Sequence, residues 1–471
     1  MTNAITRAQP PLDFIPERFH AWVRQLVQGA LPGWVRWQTD LVSIKVRNAE
    51  TLVGLYGNFQ AGQNRFVIAF RHPAPEDAYG MAHLLWRAVP RAAKQLGVTL
   101  QPPVHSHFIY DRGIPLWAGR WTSWLCSRLG GVSIQRGKLD LAALKAARQL
   151  LVNGQFPLAA APEGGNNGHS EIVSPLEPGV PQLAFWCVED LVKAERSEPV
   201  YVVPIGIQYR YINPPWDAID QLLSRLETCS GMTGSSETFV PPVELPTAQI
   251  TQLYGRLYRL AEHLLTLMEG YYQQIYDLEQ PETEKAGTNK QLAARLQHLL
   301  NGALAVAEKY FDLKPKGSVI DRCRRLEQAG WERIYREDLR DETALSPVER
   351  GLANRIAEEA DLRMWHMRLV ESFVAVTGRY VLENPTADRF AETILLLADM
   401  VARLQGENPF PRPSLGKREA LLTVGEPICV SERWEDYRTS RRKAVAALTK
   451  DLQGALEALI VDSIEFGTVD V

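Results

Sequence analysis

The pattern of apolar and polar positions changes character twice along this chain. In residues 1–224, short apolar runs alternate with segments whose apolar residues recur every three or four positions. Runs of the first kind, read as strands, fall at residues 42–46, 66–70, 107–110, 132–134, 156–160 and 199–207. The second kind predicts helices. One covers residues 16–31, with Phe19, Trp22, Val23, Leu26, Val27 and Ala30 at helical spacing, and ends at Pro32-Gly33. Others are expected at residues 81–96, 114–128 and 140–151, and residues 48–63 read as a turn-rich connection. Strands alternating with helices predict an α/β sheet with polar turns at the strand ends.

From residue 225 to 415 helical spacing takes over. Residues 230–247 read as a linker rich in Gly, Ser and Pro. Leu253, Leu257, Leu260, Leu264 and Met268 then mark one stripe, and Leu292, Leu296, Leu299, Ala303 and Val306 another. Such spacing is what packing in a helical bundle requires. Residues 416–471 return to the first style, with a strand and turn at 421–428 and an amphipathic helix at 441–459. The expected organisation is an α/β domain begun by residues 1–224 and closed by residues 416–471, with an inserted all-α block at 225–415.

Composition narrows the class only a little. An apolar content of 45% with 23% charged residues is that of a folded globular chain, and a net charge of −3 argues against a general nucleic-acid partner. Five widely separated cysteines without CxxC or Cys/His spacing point to neither a zinc site nor a disulfide framework, so no metal is expected. The N-terminal residues lack the apolar core of a secretory signal, and no apolar run approaches the ~18 residues of a membrane span. A cytoplasmic chain touching membranes only peripherally, on their cytoplasmic face, is the expectation. The helix at residues 16–31, followed by Trp34 and Trp37, either packs on the core of its own domain or sits at a lipid headgroup boundary.

The candidate chemistry lies where the strand at residues 66–70 runs into Arg71-His72-Pro73-Ala74-Pro75-Glu76-Asp77. A buried strand ending in a proline-punctuated turn projects His72 into a cleft. Imidazole is suited to take a proton near neutral pH, and the Asp77 carboxylate can hold its other nitrogen and fix the tautomer. With nine histidines in the chain, a His-x4-Asp pair arises by chance about 0.5 times. The motifs that follow it in order add weight: Gly131-Val132-Ser133-Ile134-Gln135-Arg136-Gly137, Ala161-Pro162-Glu163-Gly164 and Val202-Val203-Pro204-Ile205.

This ordered set resembles the glycerophospholipid acyltransferase family, the lysophosphatidic acid acyltransferase-like enzymes. The likeness extends to the stretches 111–119 and 424–428 and covers about half of the chain, leaving out the helical block. It implies transfer of a fatty acyl group from a thioester, acyl-CoA or acyl carrier protein, to a lipid hydroxyl in glycerolipid synthesis, without a bound cofactor. His72 would then be the general base and Asp77 its orienting partner. Arg136 and Gly137 would lie near an acceptor phosphate, and Glu163 and Gly164 on the loop that binds the acceptor's glycerol phosphate. Pro204 would shape the sheet edge near the site.

Two departures bear on the acceptor. Arg71 and Ala74 stand where the family commonly has Asn and Ser, and Gly165-Asn166-Asn167 replaces Thr-Arg-Ser, removing a phosphate-binding cation. Either Arg71, Arg112 or Lys138 substitutes for it, or the acceptor is a neutral hydroxyl such as diacylglycerol or a fatty alcohol. A different class also fits: an inactive acyltransferase-like fold serving as a lipid- or protein-binding module.

Overall fold

Alternation along a single strand sets the layers. The computed structural model describes residues 5–135, 140–232, 245–279, 289–341, 344–371 and 379–461. In chain order the first elements are α1 (Ala21–Gln38), β1 (Leu41–Arg47), α2 (Ala49–Gln60), β2 (Arg65–Phe70), α3 (Asp77–His83), a π-helical turn (Leu84–Ala88) and α4 (Val89–Gln95). Next come β3 (His107–Asp111), α5 (Ile114–Ala118), α6 (Arg120–Arg128), β4 (Gly131–Ile134), α7 (Leu141–Asn153), β5 (Leu158–Ala160), α8 (Gly179–Lys193) and β6 (Val200–Tyr211). Along β2, Phe66 and Ile68 turn to one side and pack with Leu52, Tyr56 and Phe59 of α2 and Leu84 of the π-helical turn. Val67 and Ala69 turn to the other and pack with Leu151 of α7, Phe185 of α8 and residues further along. The period of two thus yields a sheet covered by helices on both faces.

A helical run follows: α9 (Trp216–Cys229), α10 (Ala248–Tyr276), α11 (Asn289–Phe311), α12 (Val319–Ile334), α13 (Pro347–Glu371), α14 (Tyr380–Glu383) and α15 (Ala387–Leu404). The chain closes with β7 (Arg418–Val424), β8 (Ile428–Cys429), α16 (Trp434–Thr439) and α17 (Arg441–Ala458). Together the eight strands form one mixed sheet in the order β1-β7-β6-β2-β5-β3-β4, with β8 pairing β6. β2 is parallel to both β6 and β5, whereas β7 is antiparallel to β6. The fold is therefore α/β, a mixed sheet flanked by helices.

Two compact units divide the chain. One comprises residues 13–135, 139–212 and 417–471 and holds the sheet. The other comprises residues 1–12, 136–138 and 213–416. Helices α9 to α15 belong to the second unit, where Leu257, Leu260 and Leu264 of α10 and Ala357, Ala360 and Met364 of α13 are buried. In this unit Gln9 also bridges Tyr335.

Several expectations need correction. α1 does not stop at Pro32-Gly33; it runs on to Gln38, because Leu31 and Val35 continue the inward face set by Val23 and Val27, and that packing outweighs the bond proline cannot make. Residues 48–63 are not a connection. Leu52, Val53, Leu55, Tyr56 and Phe59 bury a helical face there despite Gly54 and Gly57. The aromatic helix at 114–128 is divided at Gly119, whose φ of +82° no helix accommodates. α8 has no counterpart among the expected helices. Pro204 lies inside the sheet rather than at its edge: β6 has β2 on one side and on the other the break between β7 and β8, where proline's missing N–H leaves no ladder bond unmade.

Candidate active site

β2 lies at the centre of the sheet, with the carboxyl ends of its parallel neighbours beside it, the place where open α/β sheets hold their sites. The Arg71 backbone N–H donates to the Ile205 carbonyl at 3.0 Å and extends the β2–β6 ladder by one residue. The chain then leaves the sheet. His72 emerges with about a third of its side chain accessible, and Asp77, at the start of α3, is fully buried.

Three donors converge on the Asp77 carboxylate. His72 Nδ1 lies 2.8 Å and the Ala74 backbone N–H 3.0 Å from Oδ2, while the Tyr209 hydroxyl donates to Oδ1 at 2.6 Å. A carboxylate can only accept, so the proton of the neutral ring sits on Nδ1 and its basic lone pair on Nε2. Burial pushes the Asp77 carboxyl above its ordinary value of 3.8, and the bonds from His72, Tyr209 and Ala74 oppose that rise. Burial, then the neighbouring Asp77 charge, hold the Tyr209 phenol well above its own ordinary value, so Tyr209 is a standing donor.

Sequence reasoning missed Tyr209. β6 pairs Ile205 with Phe70 and then overshoots β2, and alternation puts Val203, Ile205, Ile207 and Tyr209 on the side of the sheet where α3 lies. A long apolar strand with a tyrosine in phase at its end was the available signal. Arg418 of β7 lies over the Tyr209 ring at 5.3 Å and pairs with Glu76 at 2.7 Å, binding the turn to the sheet from the other side.

Glu163 emerges from β5, the parallel neighbour of β2. Its carboxylate is buried and turned inward. Oε1 accepts the His72 backbone N–H at 2.9 Å, and Oε2 accepts from Asn167 Nδ2 and the Ser174 backbone N–H, each at 2.9 Å. Two carboxylates from different elements therefore fix His72, one at the backbone and one at the ring. Gly164 has φ +70°, and a Cβ there would run into the Glu177 carboxylate. Asn166 and Asn167 close the loop on itself, Asn166 Oδ1 accepting from the Gly168 N–H at 2.9 Å and Asn167 Oδ1 from the His169 N–H at 3.0 Å.

The cations expected to meet an acceptor phosphate are differently disposed. Arg71 is completely buried; its guanidinium donates to the carbonyls of His169, Ser170 and Ile172 and lies 3.6 Å from Glu163. Arg112 is buried against Asp140. Both guanidinium groups are buried and engaged within the protein, so neither is exposed to meet a phosphate. Arg136, Gly137 and Lys138 lie outside the described residues. Among the described residues no cluster of His, Cys, Asp and Glu could hold a metal ion, and no helix is long and apolar enough to cross a membrane. No protein family, curated protein or solved structure matches the chain.

Proposed function

We propose that the protein is an O-acyltransferase that moves a fatty acyl group from a thioester, on coenzyme A or acyl carrier protein, to a lipid hydroxyl. The observation that carries this reading is the His72–Asp77 pair: a partly accessible imidazole, tautomerically fixed by a buried carboxylate with two further donors, at the carboxyl end of a central parallel strand. His72 Nε2 takes the proton of the acceptor hydroxyl as its oxygen attacks the thioester carbonyl. The new C–O bond forms, the C–S bond breaks, and the imidazolium returns the proton to the departing thiolate. Asp77 keeps the imidazole oriented and stabilises its charged form. Glu163 acts as a positioning residue through the His72 backbone.

A neutral acceptor, diacylglycerol or a fatty alcohol, is favoured over lysophosphatidic acid by the internal engagement of Arg71 and Arg112 together with the placement of Glu163 and Glu177 in the β5 loop. Thiol release from long-chain acyl-CoA and acyl carrier protein, measured with lysophosphatidic acid, diacylglycerol and a fatty alcohol in turn, tests both points. Transfer is expected, fastest to a neutral hydroxyl. A clear preference for lysophosphatidic acid would reverse the acceptor reading, and no transfer to any of the three would remove the enzyme reading.

A further inference from the structure

We propose that the outward face of α1 docks the protein on an anionic lipid bilayer. This inference stands on α1 and its neighbours and does not depend on the acyl-transfer chemistry. An amphipathic helix normally has one apolar face and one charged face. α1 has two apolar faces. Val23 is buried, and Val27, Leu31 and Val35 pack on the core on one side of the sheet. Trp22, Leu26, Ala30, Gly33 and Trp37, spaced at i, i+4, i+8, i+11 and i+15, form a second stripe that is exposed, with Leu26 65% and Trp37 76% accessible. At 1.5 Å per residue this stripe is about 22 Å long. Among the described residues none closes over it at Gly33 or at the neighbouring Gly29, where a built Cβ meets no atom within 4 Å.

The surroundings say what the stripe fits. α6, packed against α1, exposes Trp121 at 67%, stacked on Trp124 at 4.4 Å. Trp34, also exposed, donates from its indole N–H to the Tyr79 hydroxyl at 3.2 Å, which joins the stripe to the helix that begins with Asp77. Exposed indoles arranged along a surface helix match the headgroup boundary of a bilayer, where an amphipathic ring is favoured.

Charge then separates a bilayer from a second copy of the chain. Residues 18–39 contain three arginines and no acid, residues 78–110 contain Arg87, Arg91 and Lys94 and no acid, and α6 carries Arg120 and Arg128 and no acid. Of these, Arg36 on α1 and Arg120 on α6 are exposed beside the indoles. In a two-fold pairing such a rim would face its own like charges. Anionic headgroups would neutralise it.

The experiment is co-sedimentation of the full chain with vesicles of phosphatidylcholine alone and of phosphatidylcholine mixed with phosphatidylglycerol, together with tryptophan emission. Binding to the mixed vesicles, weakened by salt and accompanied by a blue shift, is expected. The Trp22→Ala/Trp37→Ala variant should lose about tenfold or more in partitioning, and Arg36→Glu/Arg120→Glu should lose the preference for anionic vesicles. His72→Ala should bind as the wild type does, so this result is separable from the outcome of any activity assay. All four altered side chains of the surface variants are exposed, and a thermal melt checks that both variants fold. Failure of the wild type to bind, or equal binding by the tryptophan variant, would overturn the proposal. So would a dimer in sedimentation velocity that the tryptophan variant turns into a monomer.

Discussion

Asp77 is fully buried and collects three donors, yet its carboxyl still rises above 3.8, because desolvation outweighs the bonds that favour the charged form. The folded state therefore holds this proton more tightly than the unfolded chain does. The stability it contributes is fully present below pH 3.8 and is lost as the pH climbs through the raised value. Asp77→Asn removes that titration. Denaturant unfolding of the two proteins across the acid range should show the wild type losing stability relative to the variant as the pH rises through this window. The opposite trend would mean that the site lowers the carboxyl's pKa. Tyr209→Phe deletes one of the three donors and leaves Oδ1 without it inside the protein, which should cost about 1–3 kcal/mol of unfolding free energy. Tyr209 is buried and bonds Asp77, so under the proposed acyl transfer kcat should fall while KM for the thioester stays unchanged; the reverse split would place Tyr209 at the substrate.

At the scale of elements, the site is a meeting of two loop ends and one strand overshoot. The β5 loop fixes the β2 turn through Glu163, whose oxygens accept the His72 and Ser174 N–H groups while its charge faces the buried Arg71 guanidinium. Glu163→Ala would strand both N–H donors and leave Arg71 without its counter-charge, a change that should cost about 3 kcal/mol or more in urea unfolding. A cost below about 0.5 kcal/mol would show the loop to be held by other contacts. The strands other than β8, which falls where a turn is expected, are legible from the sequence because each carries an apolar run bounded by turn residues, and His72 with Asp77 because five positions of chain bring them together across one turn. What could not be read depends on partners far away in the chain. Tyr209 lies 132 residues from Asp77, and the inward turn of Arg71 depends on carbonyls of residues 169–172. The run of α1 past Pro32 and the existence of α2 are hidden in the sequence for a related reason: Pro32, Gly54 and Gly57 are local breakers, and burial on the sheet overrides them.

On the scale of the molecule, the closing segment completes the sheet. β7 lies between β1 and β6, and Val445, Leu448, Leu452 and Leu456 of α17 share a core with Val67 and Ala69 of β2. Residues 213–416 thus separate two strands, β6 and β7, that are direct neighbours. A chain stopped at residue 416 would lose an internal strand and detach β1 with it. Such a chain should show no cooperative thermal transition for the sheet unit, and an unchanged melt would contradict the topology.

The central claim is that His72 is the base of an acyl transfer, and single-turnover measurement of acyl transfer by His72→Ala tests it most directly. Long-chain acyl thioester and the preferred hydroxyl acceptor would be mixed with wild type and variant, and both proteins melted to show that they are folded. The account predicts a loss of about 10² to 10⁴-fold in the variant with the melt unchanged, the usual range for removing a general base. A folded variant that transfers acyl groups as fast as the wild type would contradict it.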